Sequence, residues 1–262
     1  MGSMKGMFLT LALAAPLCFL PKAMQAEDGD TVAVPTAAEQ LFALANQTRA
    51  QAGAGRLAWD SGLAAAALNH CKRMAAEGPI SHRYNGEPDL ANRAGQAGAK
   101  FQLIEENVAV GPTAGMIHDE WMHSPGHRSN LMNPEVDRVG VAVVASRGVL
   151  YAVADYSHAV EIMSAREVEG RVAELIHGSG VSILSDASQA RAACATDEGM
   201  PRSASERPGF IMRWQASELT QLPQALAEKL SSGRYRRAAV GSCPAQGQEG
   251  TFTAYRVAVL LY

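Results

Sequence analysis

Apolar residues recur along this chain with two periods, and the alternation between them predicts the order of its elements. Thr36-Ala37-Ala38-Glu39 has the form of a capping box, and Leu41, Leu44, Ala45 and Thr48 continue it as one inward helical stripe. Gly53 and Gly55 stop that helix. Asp60 or Ser61 can cap a second helix over about 62–76, whose many alanines suit close packing, and Gly78-Pro79 ends it. Residues 80–98 carry turn chemistry, with Asn85-Gly86 and Pro88-Asp89, and leave room for one short helix at 89–95. A short apolar run follows Glu105-Glu106. Met116, Ile117 and Trp121 then fall at helical spacing, so a short helix buries them and shows Asp119 and His123 to solvent. Pro125 forces Ser124 out of the helical region, and Ser124-Pro125 can restart a helix as cap and first residue. Two apolar strands at 139–145 and 149–154, joined by Ser146-Arg147-Gly148, read as a hairpin. Together these elements predict a layered α+β domain over residues 36–158.

A second, smaller α+β unit is predicted over 163–262. It begins with an amphipathic helix at 165–177, broken by Gly178-Ser179-Gly180. A short strand at 181–184, a helical segment at 187–195 and a polar loop at 196–208 follow. Strands at 210–214, 235–241 and 252–261 and a helix at 223–230 complete the unit. Neither an internal repeat nor a coiled-coil pattern is present.

Residues 1–26 differ from the rest. Lys5, the apolar run from Met7 to Leu20 and the small-residue end at Ala26 read as a secretory signal, and the run is short for a membrane span. Residues 27–35 read as a tether. A secreted or periplasmic product that does not span a membrane is therefore expected. Removing Lys5 and Lys22 leaves 21 basic residues against 26 acidic ones, a net charge of −5. That balance offers no basic field for nucleic acid. Of the 4 cysteines, Cys18 leaves with the signal. Cys194 and Cys243 share the second unit and are the expected disulfide, while Cys71 lies on the apolar stripe of the second helix and is expected as a buried thiol.

The densest chemistry lies in His118 to Asn130, which holds three histidines, two carboxylates and a tryptophan. This stretch reads as the lip of a cleft. His127 falls in the first turn of the restarted helix, where the dipole disfavours imidazolium and leaves a neutral ring able to ligate a metal or accept a hydrogen bond. Ser124, Arg128 and Asn130 are candidate ligand contacts, although Arg128 and Asn130 in such a turn more often satisfy backbone carbonyls. Trp59 and Trp121 are expected as core anchors, His70 as a packed or surface residue, and His118 and His123 as solvated side chains.

From Asn46 to Tyr156 the chain resembles the CAP superfamily, the cysteine-rich secretory, antigen 5 and pathogenesis-related 1 proteins, and within it the bacterial SCP-like branch. Asn46 and Arg49, Leu57-Ala58-Trp59-Asp60 with His70, and Ile80-Ser81-His82 carry the first half of the likeness. Glu106-Asn107-Val108-Ala109, Trp121 to Leu131 and Val139-Gly140-Val141 carry the second. The resemblance implies an α-β-α sandwich with a surface groove lined by two histidines and two acids, where several members bind zinc or another divalent ion. By motif, His82, Glu106 and His127 take three of the four places. At the fourth stands Ser124, so Glu120, Asp119 or His123 would substitute. His82 and His127 would be the metal ligands. Three functions follow as expectations: a module binding a lipid, glycan or peptide in its groove, a zinc-assisted hydrolase of peptide or glycan bonds with Glu106 as general base, and a protein that docks a partner through its second unit.

Overall fold

The computed structural model describes residues 32–199, 206–245 and 253–262. The signal expected over 1–26 and most of the tether lie outside these residues, as does part of the polar loop expected at 196–208. The first domain contains β1 (Val32–Ala33), α1 (Pro35–Gln51), β2 (Ala58–Trp59), α2 (Ser61–Glu77), α3 (Leu90–Gln96), β3 (Phe101–Gly111), α4 (Ala114–His123), α5 (Pro125–Met132), β4 (Arg138–Ser146) and β5 (Val149–Ala159). The second contains α6 (Ala165–Ile176), β6 (Ser182–Ile183), α7 (Ser188–Cys194), β7 (Phe210–Ala216), α8 (Gln224–Ser231), β8 (Arg237–Cys243) and β9 (Tyr255–Leu261).

The first sheet has the order β1-β4-β5-β3, with β2 also paired to β4, so β3 is an edge strand. Because side chains alternate across a strand, the two faces of this sheet bury different sets. Ala152, Ala154 and Tyr156 face a core built with Leu41 and Ala45 of α1 and Ile117 and Trp121 of α4. Val108, Ala142, Val144 and Val153 face Ala67, Cys71 and Met74 of α2. An α-β-α sandwich results. Gly140 seats α2 against the sheet, since a Cβ there would collide with the backbone of Leu63 and Ala64. The hairpin turns at Arg147 and Gly148, both at positive φ, as a two-residue turn matched to strand twist requires.

Two of the polar residues in the motif hold this sandwich together. Asn46 pairs with the backbone of Leu57 in both directions, donating from Nδ2 to its carbonyl at 3.1 Å and accepting its N–H at 2.8 Å. The buried Arg49 donates to the carbonyls of Gly55, Leu131, Asn133 and Val136, which ties α1 to the end of α5 and the approach to β4.

The second sheet runs β6-β8-β9-β7 and buries its own core of Val168, Val172, Leu226, Val257 and Val259. Its disulfide joins Cys194 to Cys243, and Cys71 is a buried free thiol. Several local expectations differ from the structure. The capping box at Thr36 is not used, because Pro35 takes the first helical position and moves the helix start ahead of Thr36. Met116 is exposed, Trp59 is 42% exposed, and His118 is buried with Nε2 2.8 Å from Thr48 Oγ1. The α1 side of α4 thus takes His118 in place of Met116.

Candidate functional site

The edge of β3 would be open to pairing were it not covered from both faces of the sheet. Trp121 of α4 donates its indole N–H to the Val108 carbonyl at 3.3 Å, and Asn130 of α5 donates to the Glu106 carbonyl at 3.1 Å. The Asn130 amide also reaches Asn107 Oδ1 at 3.0 Å, and Asn107 donates to the His127 carbonyl at 2.9 Å. This lacing sets α5, and so His127, beside the middle of β3. From the other face comes the loop 78–89, which is wrapped around Glu87. Glu87 accepts the Tyr84 N–H at 2.9 Å, and Arg83 donates to the Glu87 carbonyl at 2.8 Å. His70 of α2 donates from Nε2 to the Ser81 carbonyl at 2.8 Å, which anchors the residue next to His82, and its Nδ1 lies 2.7 Å from a Glu87 oxygen.

Glu106 lies between the two sides. One of its oxygens accepts His82 Nδ1 at 2.8 Å and the other accepts a short contact from Arg93 of α3. Arg93 also donates to the His82 carbonyl at 3.1 Å. The Glu106 side chain is buried, whereas that of His82 is 60% exposed. The hydrogen bond to Glu106 raises the proton affinity of His82. His127 goes the other way: burial lowers its proton affinity, the nearby His82 lowers it further, and Glu120 opposes both. The groove therefore presents two neighbouring imidazoles biased towards different protonation states, one pinned through Nδ1 and one neutral.

Residues 42–156 match the family model described as "CAP: Cysteine-rich secretory protein family". This part of the chain has the CAP fold. Among curated proteins, the chain is 31% identical over 124 residues to the uncharacterized membrane protein YlbC of Bacillus subtilis, a match spanning 47% of this chain and 36% of that protein. Among solved structures it is similar to an extracellular protein containing a SCP domain from Bacillus anthracis, at 28% identity and a TM-score of 0.44, over 47% of this chain and 40% of the other. A cysteine-rich secretory protein from Staphylococcus aureus is 21% identical with a TM-score of 0.40, over 51% and 41% of the two chains. The chain thus spans well under two thirds of the length of each of these relatives.

Within the CAP domain, His82, Glu106, His127 and Glu120 come to one place, with Glu120 exposed on α4 and acting on His127 through its charge. Asn130 is engaged by backbone and Asn107, Arg128 is exposed, and the Ser124 side chain makes no cap bond at the start of α5. Three residues of the cluster escape a reading of the sequence, Glu87, Arg93 and Asp155, while His70, expected as packed or on the surface, is buried. Asp155 sits opposite Glu106 in the β3–β5 pairing and is fully buried. A lone carboxylate in the otherwise apolar run of β5 is the signal that could have found it.

Zinc takes three or four protein ligands. Glu106 has both oxygens engaged by His82 and Arg93, so two imidazoles remain. Among the described residues no group of three or more His, Cys, Asp or Glu is arranged to hold a metal ion. Away from the groove, on the β4 side of the sheet, an apolar cavity of ≈ 230 Å³ is lined by Trp59, Leu68, Val141 and Val143. Among the described residues no helix is long and apolar enough to cross a membrane.

Proposed function

We propose that this is an extracellular binding protein whose CAP-domain groove takes a small ligand at the His82–His127 pair, the ligand being a lipid, glycan or peptide segment. The observation that carries this reading is the fixed His82 ring: Glu106 holds Nδ1, so Nε2 is the edge left to meet a ligand at the exposed side of the groove. A protonated ring there donates to a carbonyl, hydroxyl or phosphate oxygen, and the neutral His127 beside it can accept. The Cys194–Cys243 disulfide supports an oxidising compartment.

Zinc-assisted hydrolysis is the weaker reading. It needs Glu106 as a free general base, and Arg93 and His82 already occupy that carboxylate. Nor does a hydroxyl or thiol hydrogen-bond either groove imidazole among the described residues. One observation keeps an ion in view, because a carboxylate behind a histidine is the usual support of a ligating imidazole. An ion held by His82 and His127 would draw its remaining ligands from water or from the bound molecule.

Calorimetry with the purified protein tests the binding reading, using a phospholipid, an N-acetylglucosamine oligomer, an extended peptide and zinc chloride as separate probes. Binding of at least one organic probe, weakened tenfold or more by His82→Ala and by His127→Ala, is the expected result. Binding that both substitutions leave unchanged, or no heat from any organic probe, contradicts it.

A further inference from the structure

We propose that Asp155 is a positioning residue of this groove, standing as a neutral carboxylic acid beneath it and giving its hydrogen bond to Glu106, the carboxylate that orients His82. The proposal deepens the binding reading, and it is argued from the buried floor of the site.

Asp155 and Glu106 face each other across β5 and β3, so their side chains leave the same side of the sheet. That side is covered by α2, which the bare Gly140, opposite Asp155 in β4, allows to lie close. Asp155 is fully buried, and among the described residues no donor reaches either of its oxygens. Its titratable and charged neighbours are Glu106 on β3, Arg93 on α3, Cys71 on α2 and Tyr156, next to it on β5. His70, also on α2, lies 3.9 Å from Glu106. Arg93 and His82 both donate to Glu106. Cys71 is engaged with the Tyr151 carbonyl, and burial raises its thiol to about 12, so it remains neutral.

Two buried carboxylates that face each other across a strand pair do not both ionise. The proton belongs on Asp155 because Glu106 has two donors, Arg93 and His82, and Asp155 has none among the described residues. With that proton in place, two facing acceptors become a donor and an acceptor, and the orphaned buried oxygens are explained. Glu106 then holds three hydrogen bonds, from Arg93, His82 and Asp155. Its carboxylate plane is set, and so is the direction in which His82 Nε2 points. Burial, followed by the charge of Glu106, pushes Asp155 well above the usual carboxylate range.

The sign of the pH dependence follows. An acid that is neutral in the folded state and ionised in the unfolded state makes stability fall as pH rises from the ordinary aspartate range to the folded value. Asp155→Asn keeps the shape and a hydrogen-bond donor but has no proton to lose. Urea midpoints of the wild type, Asp155→Asn and Asp155→Ala are measured from about pH 4 to about pH 8, a range that starts near the unperturbed aspartate value. In parallel, the Asp155 carboxyl carbon of the wild type is followed by NMR. The expected result is an Asn variant whose midpoint gains steadily on the wild type as pH rises, while its His82 keeps its raised titration. The Ala variant loses that raised titration. Parallel midpoints for wild type and Asn, or an Asp155 carboxyl carbon that titrates in the ordinary range, would overturn the proposal. The carbon signal decides even where a variant does not fold. Because no ligand enters the experiment, failure of the binding reading is seen separately, in the calorimetry.

Discussion

Glu106 is the residue on which the groove turns, because one buried carboxylate answers both Arg93 and His82. Glu106→Ala leaves the Arg93 guanidinium buried without its anion, and such a loss costs about 3–5 kcal/mol; urea denaturation measures it. In the same variant His82 titrates lower, back towards the ordinary imidazole range, as NMR of the ring shows. The raised affinity of His82 adds stability that is fully present below the unfolded value and is lost as pH rises through the folded one. Arg49 is the matching structural residue. Arg49→Lys cannot reproduce a fork that reaches four carbonyls, and a loss of about 1–3 kcal/mol is expected for the buried acceptors left short. At this scale His82, Glu106 and His127 were legible, since a motif carries each. Asp155 and Arg93 were not, because their importance comes from pairing across the sheet and from the fold of a turn-rich loop, and neither has a local period.

Among elements, the strands hidden from sequence reading are instructive. β3 runs for 11 residues, yet Glu105-Glu106 in its middle breaks the apolar pattern that would announce it. Those two side chains point to opposite faces, and on each face a specific partner waits: Asn133 for Glu105, Arg93 and His82 for Glu106. The second helix, the restart at α5 and the hairpin were readable because Asp60, Pro125 and the Arg147-Gly148 turn mark them locally. Each domain also presses a helix onto a bare strand glycine. Gly140 receives α2, and Gly241 in β8 receives the backbone of α7 at Ala190 and Arg191. Gly140→Ala is therefore expected to lower stability by about 1–3 kcal/mol through overpacking. Gly170, within α6, has nothing within 4 Å of a built Cβ. Gly170→Ala should instead raise stability by about 0.5–1 kcal/mol, the difference in helix propensity. Chemical denaturation of the pair gives opposite signs if the glycines act as described.

Across the whole molecule, two sheets with separate cores make two domains, and the CAP resemblance covers the first alone. The second is closed by a disulfide across 49 residues of chain. In the chain-entropy account a loop of that size contributes about 4 kcal/mol. Cys194→Ser with Cys243→Ser should therefore lower the unfolding temperature of the second core while the CAP core keeps its own, which calorimetric scanning resolves. The architecture of the second domain was readable as a run of alternating strands and helices, but its role was not, since among the described residues no motif there converges on a site.

One groove drives the His82 and His127 imidazoles apart in proton affinity. Nitrogen-15 NMR of the His82 and His127 rings, recorded as pH is raised, tests this most directly. Loss of the His127 proton below the ordinary imidazole range and of the His82 proton above it is the predicted result. Two rings that titrate together at the ordinary value would contradict it.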